Sequence, residues 1–329
     1  MGVLSFRPRS ETFAAIDGTG PDGFRAAVLA GLARRQKTIP SRFFYDERGS
    51  ILFEDITRLA EYYPTRAELE IFITDGAEIA ELAAGCRALI EYGSGSSRKI
   101  RALLSALPEL ACYAPIDISL QMLKQEAAEL ARDFPALRVV PVHADIMGEV
   151  DLPASVPREG RLAFFPGSTI GNFLPREAFS FLKRVGSSVG PGGFLLIGVD
   201  LKKDEATLIR AYDDGAGVTA AFNLNLLERV NRELGGDFDL SAFAHEVRYN
   251  RERGRIEMHL RSRADQQVTV EGQVFAFARG ETIHTENSHK FTIGEFHLLA
   301  RAAGYEPLRC WSDAEALFSV HLLKWGETD

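Results

Sequence analysis

The stretch ALIEYGSGSSRKIRALL, residues 88–104, decides the fold. Its apolar opening predicts a strand, its Gly-x-Gly a tight turn, and the amphipathic run that follows the start of a helix. Two common ligands of such a turn fit poorly. A phosphate-binding loop closes with Gly-Lys and then Ser or Thr, whereas Gly95 is followed by Ser96, Ser97 and Arg98. A dinucleotide fingerprint wants a third glycine where Arg98 stands.

Outward from this turn, strands and helices alternate from about residue 66 to about residue 200. Residues 67–85, 97–110 and 120–134 read as helices, and 88–93, 112–119, 137–146 and 192–200 as strands, with a further strand and loop over 161–173. Such alternation predicts a parallel sheet with helices on both faces. After Asp200 the pattern changes. Residues 203–235 read as helical, and 245–250, 254–264, 266–278 and 281–291 read as strands of an antiparallel meander. The first pattern resumes with a helix over 293–304 and strands over 305–311 and 316–325. Two units follow from this reading: residues 66–200 plus 290–329 as a sheet domain, and residues 10–65 plus 201–289 as an α+β domain, the latter containing an insertion after the fifth strand.

Composition narrows the function classes. With 329 residues the chain can bury a sizeable core, and its net charge of −8 disfavours a sequence-independent grip on nucleic acid. Cys86, Cys112 and Cys310 have neither disulfide-framework nor zinc-ribbon spacing and read as core thiols. No apolar run is long enough to span a membrane, and the opening MGVLSFRPRS has neither a signal-peptide core nor a myristoylation signal. A cytoplasmic monomer that does not associate with membranes is expected.

Glu91 precedes the Gly93–Gly95 turn, Asp117 ends the next strand and Asp145 the one after. In an open α/β sheet all three acids lie at the carboxyl edge, where ligands bind. One carboxylate there can accept from both ribose hydroxyls and another can meet an adenine amino group. The glycines admit a ligand that has an amino-acid tail in place of a phosphate. This set suits S-adenosylmethionine, whose positive sulfonium also favours an acidic cleft.

The substrate side lies in the remaining unusual segments. RFFYDERGS, residues 42–50, and LAEYYPTRAELE, residues 59–70, gather Phe43, Phe44, Tyr45, Tyr62 and Tyr63. They can form a local aromatic core or wall a binding site. In PGSTIGNF, residues 166–173, Asn172 offers one acceptor and two donors, fit for an amino acid's ammonium or carboxylate, and a simple turn role fits equally.

KTIPSRFFYDERGSILFEDITRLAEYYPTRAE, IEYGSGSSRK, FFPGSTIGNF, RAYDDGAGVTAAFN, RIEMHL and ETIHTENSHKF together resemble the histidine-specific methyltransferases of ergothioneine biosynthesis, in order and over nearly the whole chain. The resemblance implies a class I, Rossmann-like methyltransferase sheet and transfer of three methyl groups from S-adenosylmethionine to the α-amino nitrogen of L-histidine, giving hercynine. An alternative is a related small-molecule N-methyltransferase acting on another aromatic amino acid or a histidine conjugate. It further implies that Gly93, Lys99, Asp117 and Asp145 hold the cofactor, joined by Glu91 and Gly95 of the turn itself. Tyr45, Tyr62, Asn172 and Tyr212 match positions around the substrate's amino and carboxylate end, with Tyr45 and Asn172 orienting the reacting nitrogen. Met258, Glu286 and Ser288 match those around its side chain.

An imidazole presents a donor and an acceptor on opposite edges, which Glu286 and Ser288 can serve from one strand face. Discrimination of roughly 10⁴-fold is within reach of such a site. The histidines of HTENSH raise the question of a metal. By strand parity His284 and Glu286 face together and His289 away, so no metal site is expected.

Overall fold

The computed structural model describes residues 21–94 and 97–326. Gly95 of the glycine turn and the opening segment through residue 20 lie outside the described residues. The larger sheet runs in the order Tyr305–Ser312, Phe318–Trp325, Phe194–Asp200, Arg161–Phe165, Ala88–Tyr92, Cys112–Asp117, with Arg138–Val139 and Val142–His143 both pairing with the last of these. Its strands are parallel except Phe318–Trp325, which is antiparallel to both neighbours.

The central strands are largely apolar and buried, with charged residues mainly near their ends, because helices cover both faces. Ile90, Ala114, Ala163 and Ile197 pack into one core layer, and Leu89, Tyr113, Phe164 and Leu196 into the other, the two-residue period expected of a pleated strand. The strand expected over 137–146 is split in two. Pro141, which has no N–H to give a ladder, stands between the halves.

The helix expected from residue 67 starts earlier, at Tyr63, and runs to Leu82. Pro64 in its first turn needs no intrahelical partner and has its φ already set, so the helix begins beside the tyrosines. The helical region after Asp200 is also divided, into Glu205–Tyr212 and Val218–Leu234. Between them the Asp214 carboxylate accepts from the N–H groups of Val218 (2.9 Å) and Thr219 (2.7 Å), capping the second helix.

The second sheet departs from the expected meander. Its order is Lys37–Thr38, Thr282–His289, Arg255–Ser262, Phe243–Asn250, while Gln266–Val270 and Gln273–Phe277 form a separate hairpin. Glu271 and Gly272 close that hairpin with φ of 52° and 73°, the pair of positive values of a two-residue type I′ turn. Because the hairpin leaves the sheet, Thr282–His289 returns to pair with Arg255–Ser262, and the N-terminal Lys37–Thr38 adds on in parallel. Phe24, Phe44, Phe222, Met258 and Ile283 share one core, joining the N-terminal segment to the insertion.

One irregularity sets the chemistry of this sheet. Thr282–His289 carries a bulge between His284 and Glu286, so that His284 lies opposite His259 while Glu286 lies opposite Met258. Directly opposed residues share a face, so the extra residue sends His284 and Glu286 to opposite sides. His289, opposite Arg255, shares the side of His284. The parity expectation is thus reversed for His284, while His289 lies away from Glu286 as expected. Among the described residues, no helix is long and apolar enough to cross a membrane.

Candidate active site

Tyr45, Tyr62, Asn172, Tyr212, Met258, Glu286 and Ser288, drawn from six separate stretches of sequence, line a single pocket. Phe53 and Phe222 complete its aromatic wall. Tyr45 meets both rings edge-on at 5.6 and 5.9 Å between centroids, and Tyr62 meets Tyr212 edge-on at 6.2 Å. Phe43 and Phe44 turn into the core instead, so the tyrosine-rich motifs serve both packing and the site. Burial, with the Glu286 carboxyl adding to it, pushes the phenols of Tyr45, Tyr62 and Tyr212 far above their ordinary range. They are hydroxyl donors, not bases.

Asn172 is carried by a short 3₁₀ turn, Thr169–Asn172, that follows Gly167 and Ser168. Both take left-handed backbone, φ of 76° and 56°. For Ser168 this is a strained conformation, held because its Oγ accepts from the Asp200 N–H at 2.8 Å and its carbonyl from the Gly171 N–H at 2.8 Å. The Gly167 N–H points at the buried Glu68 carboxylate, 2.9 and 3.0 Å away. Gly198 admits that carboxylate: a Cβ there would stand 2.0 Å from Glu68 Oε1. On the other side His289 Nδ1 bonds the Gly171 carbonyl at 2.9 Å. A Cβ on Gly171 would approach the His289 carbonyl oxygen to 2.8 Å, so only glycine fits this contact.

Behind the pocket lies a buried charged cluster that sequence reading missed. Asp200, at the end of its parallel strand, binds Lys290 and Lys203 at 2.5 Å each and accepts from Tyr63 Oη at 2.8 Å. Burial alone pushes its carboxyl up, but the two ammoniums prevail and hold it below the usual range. Lys290 also reaches Ser288 Oγ (2.7 Å) and Tyr212 Oη (3.0 Å), themselves 2.7 Å apart. The available signal was an acid at a strand's carboxyl end, the same feature that drew attention to Glu91 and Asp117.

Glu286 differs from Asp200. Burial pushes its carboxyl up to about 8, with Lys290 the opposing influence. On the far face of the same sheet His284 stacks on His259, ring centroids 4.7 Å apart, beside Glu257. These three have metal-ligand chemistry; Arg255 and Asn250 bond one Glu257 oxygen, Oε1, at 2.8 and 3.0 Å, and His259 Nε2 lies 3.4 Å from the other.

Glu91, Asp117 and Asp145 do not line the aromatic pocket and lie along the carboxyl edge of the larger sheet, with Asp117 near enough to act on the Tyr45 phenol. Glu91 is buried. Its Oε2 accepts from Tyr113 Oη, its Oε1 is buried with no partner among the described residues, and burial pushes the carboxyl up to about 8. Asp117 accepts from the Ser119 N–H at 2.7 Å and is pushed up to about 6, chiefly by burial. Asp145 accepts from the Met147 N–H at 2.8 Å. Gly93 has φ of 77°, and an added Cβ would find nothing closer than Ile146 at 3.9 Å. An orphaned carboxylate oxygen and open backbone beside it fit a ligand with hydroxyl and amino donors. Lys99 pairs with Glu68 at 2.6 Å, which links the helix Ser97–Ala106 to the Gly167 loop of the pocket.

Comparison with known proteins identifies the family. The family described as "Histidine-specific methyltransferase, SAM-dependent" matches residues 24–325. A histidine N-alpha-methyltransferase of Mycolicibacterium smegmatis is 42% identical over 307 residues, covering 92% of this chain and 94% of that protein. An L-tryptophan methyltransferase of Psilocybe serbica is 30% identical, covering 91% and 92%. A solved S-adenosylmethionine-dependent methyltransferase of Clostridium acetobutylicum is 13% identical, with a TM-score of 0.45 over 79% of this chain and 91% of that one. The chain therefore belongs to the S-adenosylmethionine-dependent, histidine-specific methyltransferase family.

Proposed function

We propose that this protein transfers three methyl groups from S-adenosylmethionine to the α-amino nitrogen of L-histidine, giving hercynine, a precursor of ergothioneine. The observation that carries the reading is Glu286, a buried carboxyl facing a pocket otherwise walled largely by aromatic rings. A buried acid left without a partner is costly, and an imidazole N–H is a partner of the right kind. With the carboxyl near 8 and an imidazole near its ordinary ~6.5, the two hold one proton in common at neutral pH. Histidine then enters without adding net charge to the pocket.

The opposite edge of the imidazole needs a donor, and the Ser288 hydroxyl stands to give one. It is bonded at 2.7 Å to the hydroxyl of Tyr212, a residue expected at the amino and carboxylate end, which meets the side-chain end through this contact. An indole has an N–H but no acceptor nitrogen, so it would leave that donor unmatched. This favours histidine over tryptophan, the amino acid named for the Psilocybe serbica relative.

S-adenosylmethionine supplies an electrophilic methyl on a sulfonium. On this reading Glu91, Gly93, Gly95, Lys99, Asp117 and Asp145 hold it, and residues 66–200 with 290–329 form the unit that does so. Residues 10–65 with 201–289 supply most of the substrate pocket. Tyr45 and Asn172 orient the amine. Its protons leave to water, because the phenols stay protonated and an α-amino group titrates within a few units of neutrality. Positioning and exclusion of water are the protein's main contribution. The quaternary product nitrogen can donate no hydrogen bond, and the rings of Tyr45 and Tyr62 offer it cation–π attraction. A cytoplasmic monomer acting on a free amino acid, without nucleic acid or membrane, completes the reading, in keeping with the net charge of −8.

The test is mass spectrometry of small molecules after incubation of the purified protein with S-adenosylmethionine and each common amino acid in turn. A histidine product heavier by three methyl groups is expected. Methylation of another amino acid in preference to histidine would overturn the reading.

A further inference from the structure

We propose that Lys290 is a positioning residue for substrate recognition: its buried ammonium fixes the Ser288 and Tyr212 hydroxyls so that one O–H is turned to the ligand's acceptor nitrogen. The inference rests on the reading of the pocket as a histidine site.

The argument is a count of protons. Lys290 is fully buried and carries three N–H donors, with acceptors at Asp200 Oδ2 (2.5 Å), Ser288 Oγ (2.7 Å) and Tyr212 Oη (3.0 Å). All three donors are therefore used, and both hydroxyl oxygens accept from the same ammonium. Ser288 and Tyr212 are also 2.7 Å apart, so one donates to the other. Two hydroxyl protons minus the one spent between them leaves one. Neither hydroxyl can turn it back on Lys290, which has no lone pair, so it is directed to whatever occupies the pocket that both residues line. The result is a corner that seeks an acceptor, placed on the same wall as Glu286, which seeks a donor.

Several charged groups share this space. Asp200 and Lys203 face Lys290 from the end of the Phe194–Asp200 strand and the loop after it, Tyr212 from a helix, and Glu286 and His289 from the strand that Lys290 follows, while Tyr63 bonds Asp200 and Lys203. Burial pushes Lys203 down to about 8, so below that pH the two lysines exceed Asp200 by one positive charge, and Lys290 is the one that acts on Glu286 on the pocket side. Lys290 thus also favours the carboxylate form of Glu286. Removing Lys290 leaves Asp200 paired with Lys203 and Tyr63, so no buried carboxylate is stranded.

The experiment compares wild type, Lys290→Met, Ser288→Ala and the double variant by steady-state kinetics with L-histidine and S-adenosylmethionine varied separately across pH, with thermal unfolding alongside. Lys290→Met is expected to raise KM for histidine by roughly ten- to hundredfold and leave KM for S-adenosylmethionine within about twofold. The Glu286-dependent limb of the histidine profile is expected to move to higher pH. Adding Ser288→Ala to Lys290→Met is expected to cost little more, because the two act on one contact. Lys290→Gln, which keeps donors, is expected to recover part of the loss. Full additivity in the double variant, or a Lys290→Met enzyme that unfolds earlier yet keeps its histidine KM and pH profile, would show a merely structural lysine and overturn the inference. Wild type tested in parallel keeps the two readings apart: failure of wild type to methylate histidine would remove the substrate assignment itself.

Discussion

The carboxylates at the strand ends fall into two kinds. Glu91 and Asp117 sit where burial raises their affinity for a proton and little positive charge opposes it, up to about 8 and about 6. Asp200, as buried as Glu91 and more so than Asp117, is held below its usual range by Lys290 and Lys203. On the proposed reading, the difference separates acids left to meet a ligand from an acid that fastens the fold around the pocket. A carboxylate with an unmet oxygen, such as Glu91 Oε1, keeps capacity for donors brought by a small molecule. One whose oxygens are already taken by two ammoniums and a phenol has none to offer and acts as a fastener.

The largest effect expected from this contrast is on stability. Asp200→Asn strands two buried lysines without a countercharge and should destabilise the protein by roughly 3–5 kcal/mol, measured by urea unfolding. Asp117→Asn removes an acid that burial already disfavours and should change stability by less than about 1 kcal/mol, while weakening S-adenosylmethionine binding in calorimetry. Similar losses of stability in both variants would erase the distinction between the two kinds of acid.

A middle-sized effect is expected at Glu286, a third buried acid, which resembles Glu91 more than Asp200. Glu286→Gln should raise KM for histidine about tenfold or more, the loss of about 1.5–3 kcal/mol typical for a hydrogen bond to a charged group. Its pH signature can be signed. The folded carboxyl keeps its proton to about 8, whereas the unfolded one releases it near 4.5. The folded state therefore binds more protons between those values, and its stability falls as pH rises through that window. Glu286→Gln should flatten this part of the ligand-free stability profile. A slope unchanged by the substitution would mean that the acid is not buried in solution as it is here.

Legibility in the sequence divides along the same line. The parallel sheet could be read because strand and helix periods alternate within short windows, and Glu91, Asp117 and Asp145 could be placed because a strand end fixes where its last residue lies. Tyr45, Tyr62, Asn172, Tyr212, Met258, Glu286 and Ser288 were reached through resemblance of whole motifs, since no local pattern brings residues so far apart together. The fastener was not legible. Tyr63 and Asp200 lie 137 positions apart, and Asp200 and Lys290 lie 90 apart. Nor was the bulge at Thr285, because one inserted residue that is neither glycine nor proline leaves no mark in composition. Parity counting across it placed His284 with Glu286, and the inserted residue reversed that assignment.

The smallest expected effect concerns the aromatic wall and appears in the products more than in the rate. Each methyl added removes an N–H that Asn172 or a tyrosine hydroxyl could hold, so the partly methylated amine is retained increasingly by ring faces. Tyr62 is suited to this: it meets Phe53 and Tyr212 edge-on, at 6.3 and 6.2 Å. Its buried phenol also stays neutral. Replacing it with Leu keeps apolar bulk and removes the quadrupole, a loss of about 0.5–2 kcal/mol per cation–π contact. Tyr62→Leu should therefore release more mono- and dimethylated histidine at early times, read by mass spectrometry under substrate excess. Tyr45→Phe, which keeps the ring and loses only the hydroxyl, should shift that distribution less. If instead Tyr45→Phe releases the intermediates and Tyr62→Leu does not, the hydroxyl at Tyr45 retains them, and the wall acts through hydrogen bonds in place of ring charge.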